Sequence, residues 1–188
     1  MALLWRANAQ LSKGDVKNAI ADFDKLLAID PRYVSGYINR ASVRQLMGDI
    51  NGAIADLDKA IVISPRLAKA YNNRGAVRMS LGEMDRAVAD FDKAIAINPR
   101  LTTAYNNRGI ARLEQTRLSE ALSDFDKAIG MDSVYALAYL NRGLVLELQG
   151  KMAEADKDFQ RCLEINPNLK QLQEERRKEV ARKHKAQR

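Results

Sequence analysis

Five arginines, Arg6, Arg40, Arg74, Arg108 and Arg142, recur at an interval of 34 residues, and five aspartates, Asp22, Asp56, Asp90, Asp124 and Asp158, keep the same interval. A guanidinium and a carboxylate repeated in step can form charge-assisted hydrogen bonds. We read them as an Arg to Asp pair repeated along the chain, partly buried, that specifies register more than it adds stability. The alternative is a solvated charge stripe. Four asparagines, Asn39, Asn73, Asn107 and Asn141, follow the same period. Their amides carry both a donor and an acceptor, which suits the backbone of a peptide ligand whatever its side chains. Groups for catalysis are sparse: the sole histidine is His184, near the end of the chain, and the sole cysteine is Cys162. Catalysis normally needs a converging acid, base or nucleophile. Metal sites lack His and Cys ligands, and no glycine-rich phosphate loop is present. The expectation is a noncatalytic protein without cofactor or metal.

The elements that hold these side chains are repeated too. YNNRG stands at 71–75 and again at 105–109, with YINRA at 37–41 and YLNRG at 139–143. A second phrase runs ADFDKLL, ADLDKAI, ADFDKAI, SDFDKAI and KDFQRCL from Ala21, Ala55, Ala89, Ser123 and Lys157. All four prolines obey the period, with Ser133 in the missing slot. Within each unit, apolar and small residues recur at helical spacing in two segments separated by a turn such as MGD or LGE. Each unit is therefore a helical hairpin. In the third unit the helices are expected over about Lys69–Leu81 and Met84–Ile97, where NPR stops the second because proline disfavours helix before it.

The period, the early aromatic, the Gly or Ala four residues later, the Ala and Phe of the second helix and the closing Pro resemble the tetratricopeptide repeat family. In the third unit these are Tyr71, Gly75, Ala87, Phe91 and Pro99. Departures are local: Leu3 in the aromatic slot, Leu57 for Phe, and Thr116 in place of a turn glycine. The resemblance covers about residues 1–169. It implies an all-α, right-handed superhelical solenoid of five repeats, at approximately 1–33, 34–67, 68–101, 102–135 and 136–169, followed by a capping helix and tail over 170–188.

A single hairpin cannot bury its apolar face, so each lends its surface to the next and a continuous core is expected. Gly75, Gly109 and Gly143, with Ala87, Ala121 and Ala155, let helices approach, while Cys162 occupies the slot of Ala60, Ala94 and Ala128 as a small buried filler.

At about 100° per residue, Tyr71, Arg74, Gly75 and Arg78 cluster on one stripe and Asn73 lies roughly 200° from Tyr71. In the family the first helices line the concave surface. The resemblance thus implies that Asn39, Asn73, Asn107 and Asn141 form an asparagine ladder that holds an extended peptide by its main chain. The competing reading is that these amides bond to a neighbouring repeat. Divergent positions in the groove would carry selectivity, with Ile110, Leu113, Leu137, Leu140 and Leu144 apolar and Lys69 basic. Some family members clamp a C-terminal carboxylate. Here Asn8, Asn39 and Lys69 match that clamp, but Leu4 and Asn73 stand where a Lys and an Arg are required.

With 46% hydrophobic and 29% charged residues, the composition fits an ordered helical array. No apolar run approaches the ~18 residues of a membrane helix, and MALLWRANAQ does not read as a secretory signal. A cytoplasmic location is expected. The net charge is +7, yet the segment from Lys170 holds eight Lys or Arg against three Glu, so basicity belongs to the tail. An RNA reader using that tail is the alternative function. It is disfavoured because such readers vary a base-selecting side chain between repeats, whereas the amide here is constant. Leu169 and Leu172 are expected to seat the capping helix. Leu3, Leu4 and Trp5 suggest self-association through the N-terminal edge.

Overall fold

A computed structural model describes residues 2–186, with side chains as far as Arg182. Its described regular structure is entirely helical, and consecutive helices pack as antiparallel-type hairpins within two compact units, residues 1–97 and 98–188. The first unit holds three hairpins: α1 (Ala2–Ser12) with α2 (Val16–Ile29), α3 (Val34–Leu46) with α4 (Ile50–Ile63), and α5 (Ala68–Ser80) with α6 (Met84–Ile97). The second holds α7 (Thr102–Glu114) with α8 (Leu118–Met131) and α9 (Ala136–Leu148) with α10 (Met152–Ile165), then a 3-10 turn (Pro167–Leu169) and α11 (Lys170–Ala186).

Local chemistry sets the breaks. The turn inside a hairpin needs one residue with positive φ, supplied by Gly14, Gly48, Gly82 and Gly150 at 75° to 80°. In the fourth hairpin Thr116 takes that conformation at φ 59°, a strained choice for a β-branched residue. Asp15 and Asp49 cap the helices that follow by accepting the backbone N–H of Asn18 and Gly52. Between hairpins, Asp30, Asn98, Asp132 and Asn166 each accept the N–H two residues on, an Asx turn that reverses the chain. Tyr37, Tyr71 and Tyr139 then donate their hydroxyls to the carbonyls of Pro31, Pro65 and Ser133, each at 3.3 Å. A carbonyl suffices there, which is why Ser133 can replace proline.

In the first unit, Ala7, Ala19, Phe23, Leu26 and Val43 form one buried cluster, and Ile38, Ala41, Leu57, Ala60 and Val77 belong to another. Val43 of α3 joins the first cluster and Val77 of α5 the second, so each hairpin lends surface to the one before it. In the second unit a single cluster joins Phe125, Leu140, Leu144, Val145, Leu146, Phe159 and Cys162. Cys162 is buried, as its slot requires, and burial pushes its thiol pKa up.

Helix α11 packs on α9, but the expected anchor is only half right. Leu169 joins the core, whereas Leu172 is exposed. The buried face instead carries Gln173 and Val180, and Arg177 lies 4.5 Å above the Phe159 ring while forking onto Glu147. Residues 173, 177 and 180 fall on one helical stripe, and Leu172 lies about 100° from Gln173. The side chain of His184 and the residues of the basic tail from 187 onward lie outside the described residues. At the other end, Leu3 and Leu4 are partly buried against the first cluster and Trp5 is 71% exposed.

Candidate functional site

The arginine and aspartate series come together in every hairpin. Arg74 shows the arrangement: its Nε and Nη2 donate to Asp90 Oδ2 and Oδ1 at 2.9 and 2.6 Å, and the guanidinium lies over the Tyr71 ring at 5.6 Å. Equivalent forks join Arg6 to Asp22, Arg40 to Asp56, Arg108 to Asp124 and Arg142 to Asp158. All five acids are buried, so the solvated stripe is excluded. For Arg40, Arg74 and Arg142 these hydrogen bonds are the main cause of guanidinium pKa values raised above their already high ordinary value. Arg6 likewise holds the Asp22 carboxyl below the usual carboxylate range.

Two further sets of contacts were not anticipated. Arg40, Arg74 and Arg142 also donate Nη1 to Asp24, Asp58 and Asp126 of the preceding hairpin at 2.6 to 2.7 Å. Each of these arginines thus clasps two hairpins. In addition, Arg44, Arg78 and Arg112 donate Nη1 to Oδ2 of the same buried acids, Asp56, Asp90 and Asp124, at 2.6 to 2.8 Å. Both sets had a signal, since the second aspartate of DFDK and the second arginine four residues after the first also recur every 34 residues. In the last hairpin Gln160 stands where Asp24, Asp58 and Asp126 stand, and its amide donates to Glu164 on its own helix at 3.0 Å.

The asparagines divide. Asn39, Asn73 and Asn107 are partly buried, whereas Asn141 is buried and donates its amide to Asn106 of the preceding hairpin at 3.0 Å. Asn72 and Asn106, the first asparagines of YNNRG, are themselves buried and donate to the Oδ1 of Asn73 and Asn107 at 3.4 and 3.5 Å. The double asparagine is an amide network that the single ladder did not foresee. Lys69 is exposed and Ile110 partly buried. Leu140 and Leu144, expected on an open face, are core residues of the second unit, in the cluster that Val180 of α11 joins.

In the first unit, α3 and α5, with Leu57 of α4, line a pocket of about 150 Å³. Ser42, Gln45 and Asn73 supply its polar edge, and Ala41, Ala76 and Val77 its apolar walls. Small side chains leave backbone-sized room there, and Asn73 stands beside it with its Oδ1 already engaged by Asn72. Among the described residues no cluster of His, Cys, Asp and Glu is placed to hold a metal ion, and no helix is long and apolar enough to cross a membrane.

Family models described as tetratricopeptide repeat match residues 1–34, 68–101 and 136–169, and one described as TPR repeat matches 46–82. No curated protein matches the chain. Among solved structures, MamA is 28% identical with a TM-score of 0.74, over 86% of this chain and 95% of that one. YrrB, described as a TPR protein with an unusual peptide-binding site, is 22% identical with a TM-score of 0.69, over 94% and 90%. TTC0263, a thermophilic TPR protein of Thermus thermophilus, is 16% identical with a TM-score of 0.78, over 96% and 97%.

Proposed function

The chain belongs to the tetratricopeptide repeat family, whose members are generally protein-interaction scaffolds, and on that premise we propose that it is a noncatalytic scaffold that holds an extended peptide or protein segment. The observation that carries this reading is the pocket between α3 and α5. Its rim offers Ser42, Gln45 and Asn73, and Asn39 belongs to the same series of first-helix amides. With Asn72 donating to the oxygen of Asn73, the amide nitrogen of Asn73 serves as donor to a ligand carbonyl. Lys69, one turn before Asn73 on α5, supplies a positive charge for an acidic group of the ligand.

In the second unit Asn107 and Ile110 extend the proposal, while Asn141, Leu140 and Leu144 support the fold from within. The RNA-reading alternative draws on the basic tail, where Arg177 is already committed to Glu147 and the Phe159 ring.

Peptides selected from a display library against the wild-type protein provide the test. Calorimetry with the Asn39→Ala/Asn73→Ala variant should show affinities roughly tenfold or more weaker for every selected sequence, since main-chain contacts ignore side chains. Unchanged affinity together with unchanged melting would overturn the ladder reading. Selection of basic-tail ligands alone would overturn the groove.

A further inference from the structure

The second arginine of the lattice fails twice, at Gln10 in the first hairpin and at Leu146 in the last. The slot reads Arg44, Arg78 and Arg112 in three hairpins and Leu146 in the last. In the fourth hairpin Arg112 bridges two acids of α8, donating Nη1 to Asp124 at 2.6 Å and approaching Glu120 at 3.4 Å through Nη2. In the last hairpin both acceptors persist one turn apart on α10, as Glu154 and Asp158, but the guanidinium that would join them is gone. What remains is a cleft of about 460 Å³ between α8, α9 and α10, floored by Leu122 and Leu146 and faced by Asp126, Arg142, Glu154 and Asp158. Exposure registers the loss. The Arg142 side chain is 25% exposed, against 14 to 16% for Arg40, Arg74 and Arg108.

We propose that this cleft is a binding site for an arginine side chain of a partner protein, which enters where Arg112 lies in the preceding hairpin. The acceptors already match a guanidinium. Asp158 Oδ2 receives one hydrogen bond, from Arg142 Nε, where Asp90 Oδ2 receives two, from Arg74 and Arg78. Glu154 repeats Glu120. The planar fork of arginine can reach both carboxylates, and its weak hydration favours it over the ammonium of lysine in a half-closed cleft. Lys151 and Lys157 stand exposed in the cleft wall and Arg161 is paired with Glu164 at 3.1 Å, so among the described residues no side chain bridges the two acids. The site uses other residues than the asparagine face and stands or falls separately from it.

The test is a titration of the isotope-labelled full chain with acetyl-Gly-Arg-Gly-amide, followed by amide NMR. Saturable shifts are expected at Leu146, Glu154 and Asp158, with none from the citrulline counterpart, which keeps the shape and loses the charge. Glu154→Gln, an exposed substitution, should weaken binding about tenfold. Leu146→Arg should abolish it by filling the slot from within, while Leu146→Met should leave it unchanged. Equal shifts with the citrulline or a lysine peptide would overturn the assignment, as would undiminished binding in Glu154→Gln. Should Leu146→Arg not fold, the Glu154→Gln and citrulline comparisons decide alone.

Discussion

Arg74 donates Nη1 to Asp58 at 2.6 Å, a residue of the preceding hairpin, while the rest of its guanidinium grips Asp90 of its own. The same planar group therefore fixes the shape of one hairpin and its seat on another. Removing such a cation strands a buried carboxylate, and how badly depends on what else that acid holds. Asp90 retains Arg78, but Asp158 has Leu146 in the equivalent place. Arg142→Ala should therefore cost about 3–5 kcal/mol and Arg74→Ala about 1–2 kcal/mol less. Denaturant unfolding of the two variants measures the difference, and equal costs would assign the second arginine no part in holding the acid.

Gly109 faces Phe125 so closely that an added Cβ would lie 2.6 Å from the ring carbon Cε1. Alanine is the better helix former by ~1 kcal/mol, yet overpacking costs more than this gain at a close contact. The first hairpin accommodates Ala7 in one cluster with Phe23, which places the expected net loss for Gly109→Ala at the low end, about 1 kcal/mol. Adding Phe125→Leu should cost less in that background than in the wild type, because the second hairpin already combines Ala41 with Leu57. A double-mutant cycle by thermal unfolding reads the coupling.

Thr116 is the described non-glycine residue with positive φ, at a turn where Gly14, Gly48, Gly82 and Gly150 stand elsewhere. Relief of the left-handed strain should outweigh the greater unfolded-state freedom of glycine. Thr116→Gly is expected to stabilise by about 0.5–1 kcal/mol, and Gly82→Thr to destabilise. Melting temperatures moving in opposite directions would bear this out.

The lowered pKa of Asp22 sets a pH dependence. Hydrogen bonding from Arg6 is its main cause, and it outweighs the opposing desolvation. The contribution is fully present above the unfolded carboxylate value, about 3.9, and is lost as pH falls through the lower folded value. Glu120, lowered mainly by its hydrogen bonds from Arg117, acts in the same direction. Stability measured between about pH 5 and pH 2 should therefore fall less steeply in Arg6→Gln than in the wild type.

Periodicity made the hairpins, their turns and the Arg to Asp forks readable, because each is written several times with identical residues in identical phase. Context decided the rest. The acid of DFDK that reaches across hairpins is indistinguishable in sequence from an exposed surface charge until the neighbouring helix is placed beside it. Asn72 and Asn73 are the same residue type, yet the first is buried and the second lies beside a pocket. Helical angles separate them by only about 100°, too coarse to assign one to a network and the other to a face. Leu172 misled for the opposite reason: its apolar character pointed inward, but the helix turns Gln173, Arg177 and Val180 to the core instead.

Gln160 gives the array a direction of growth. A duplicated second hairpin, spliced beside its parent, would bring both the arginine that reaches back, Arg40, and the aspartate that receives the next one, Asp58, so its seams would be written correctly from the outset. A copy placed after α10 would meet an amide already turned to Glu164 instead of a carboxylate. A hairpin copied from within thus carries both halves of the clasp, whereas the last hairpin offers a following arginine an amide in place of a carboxylate.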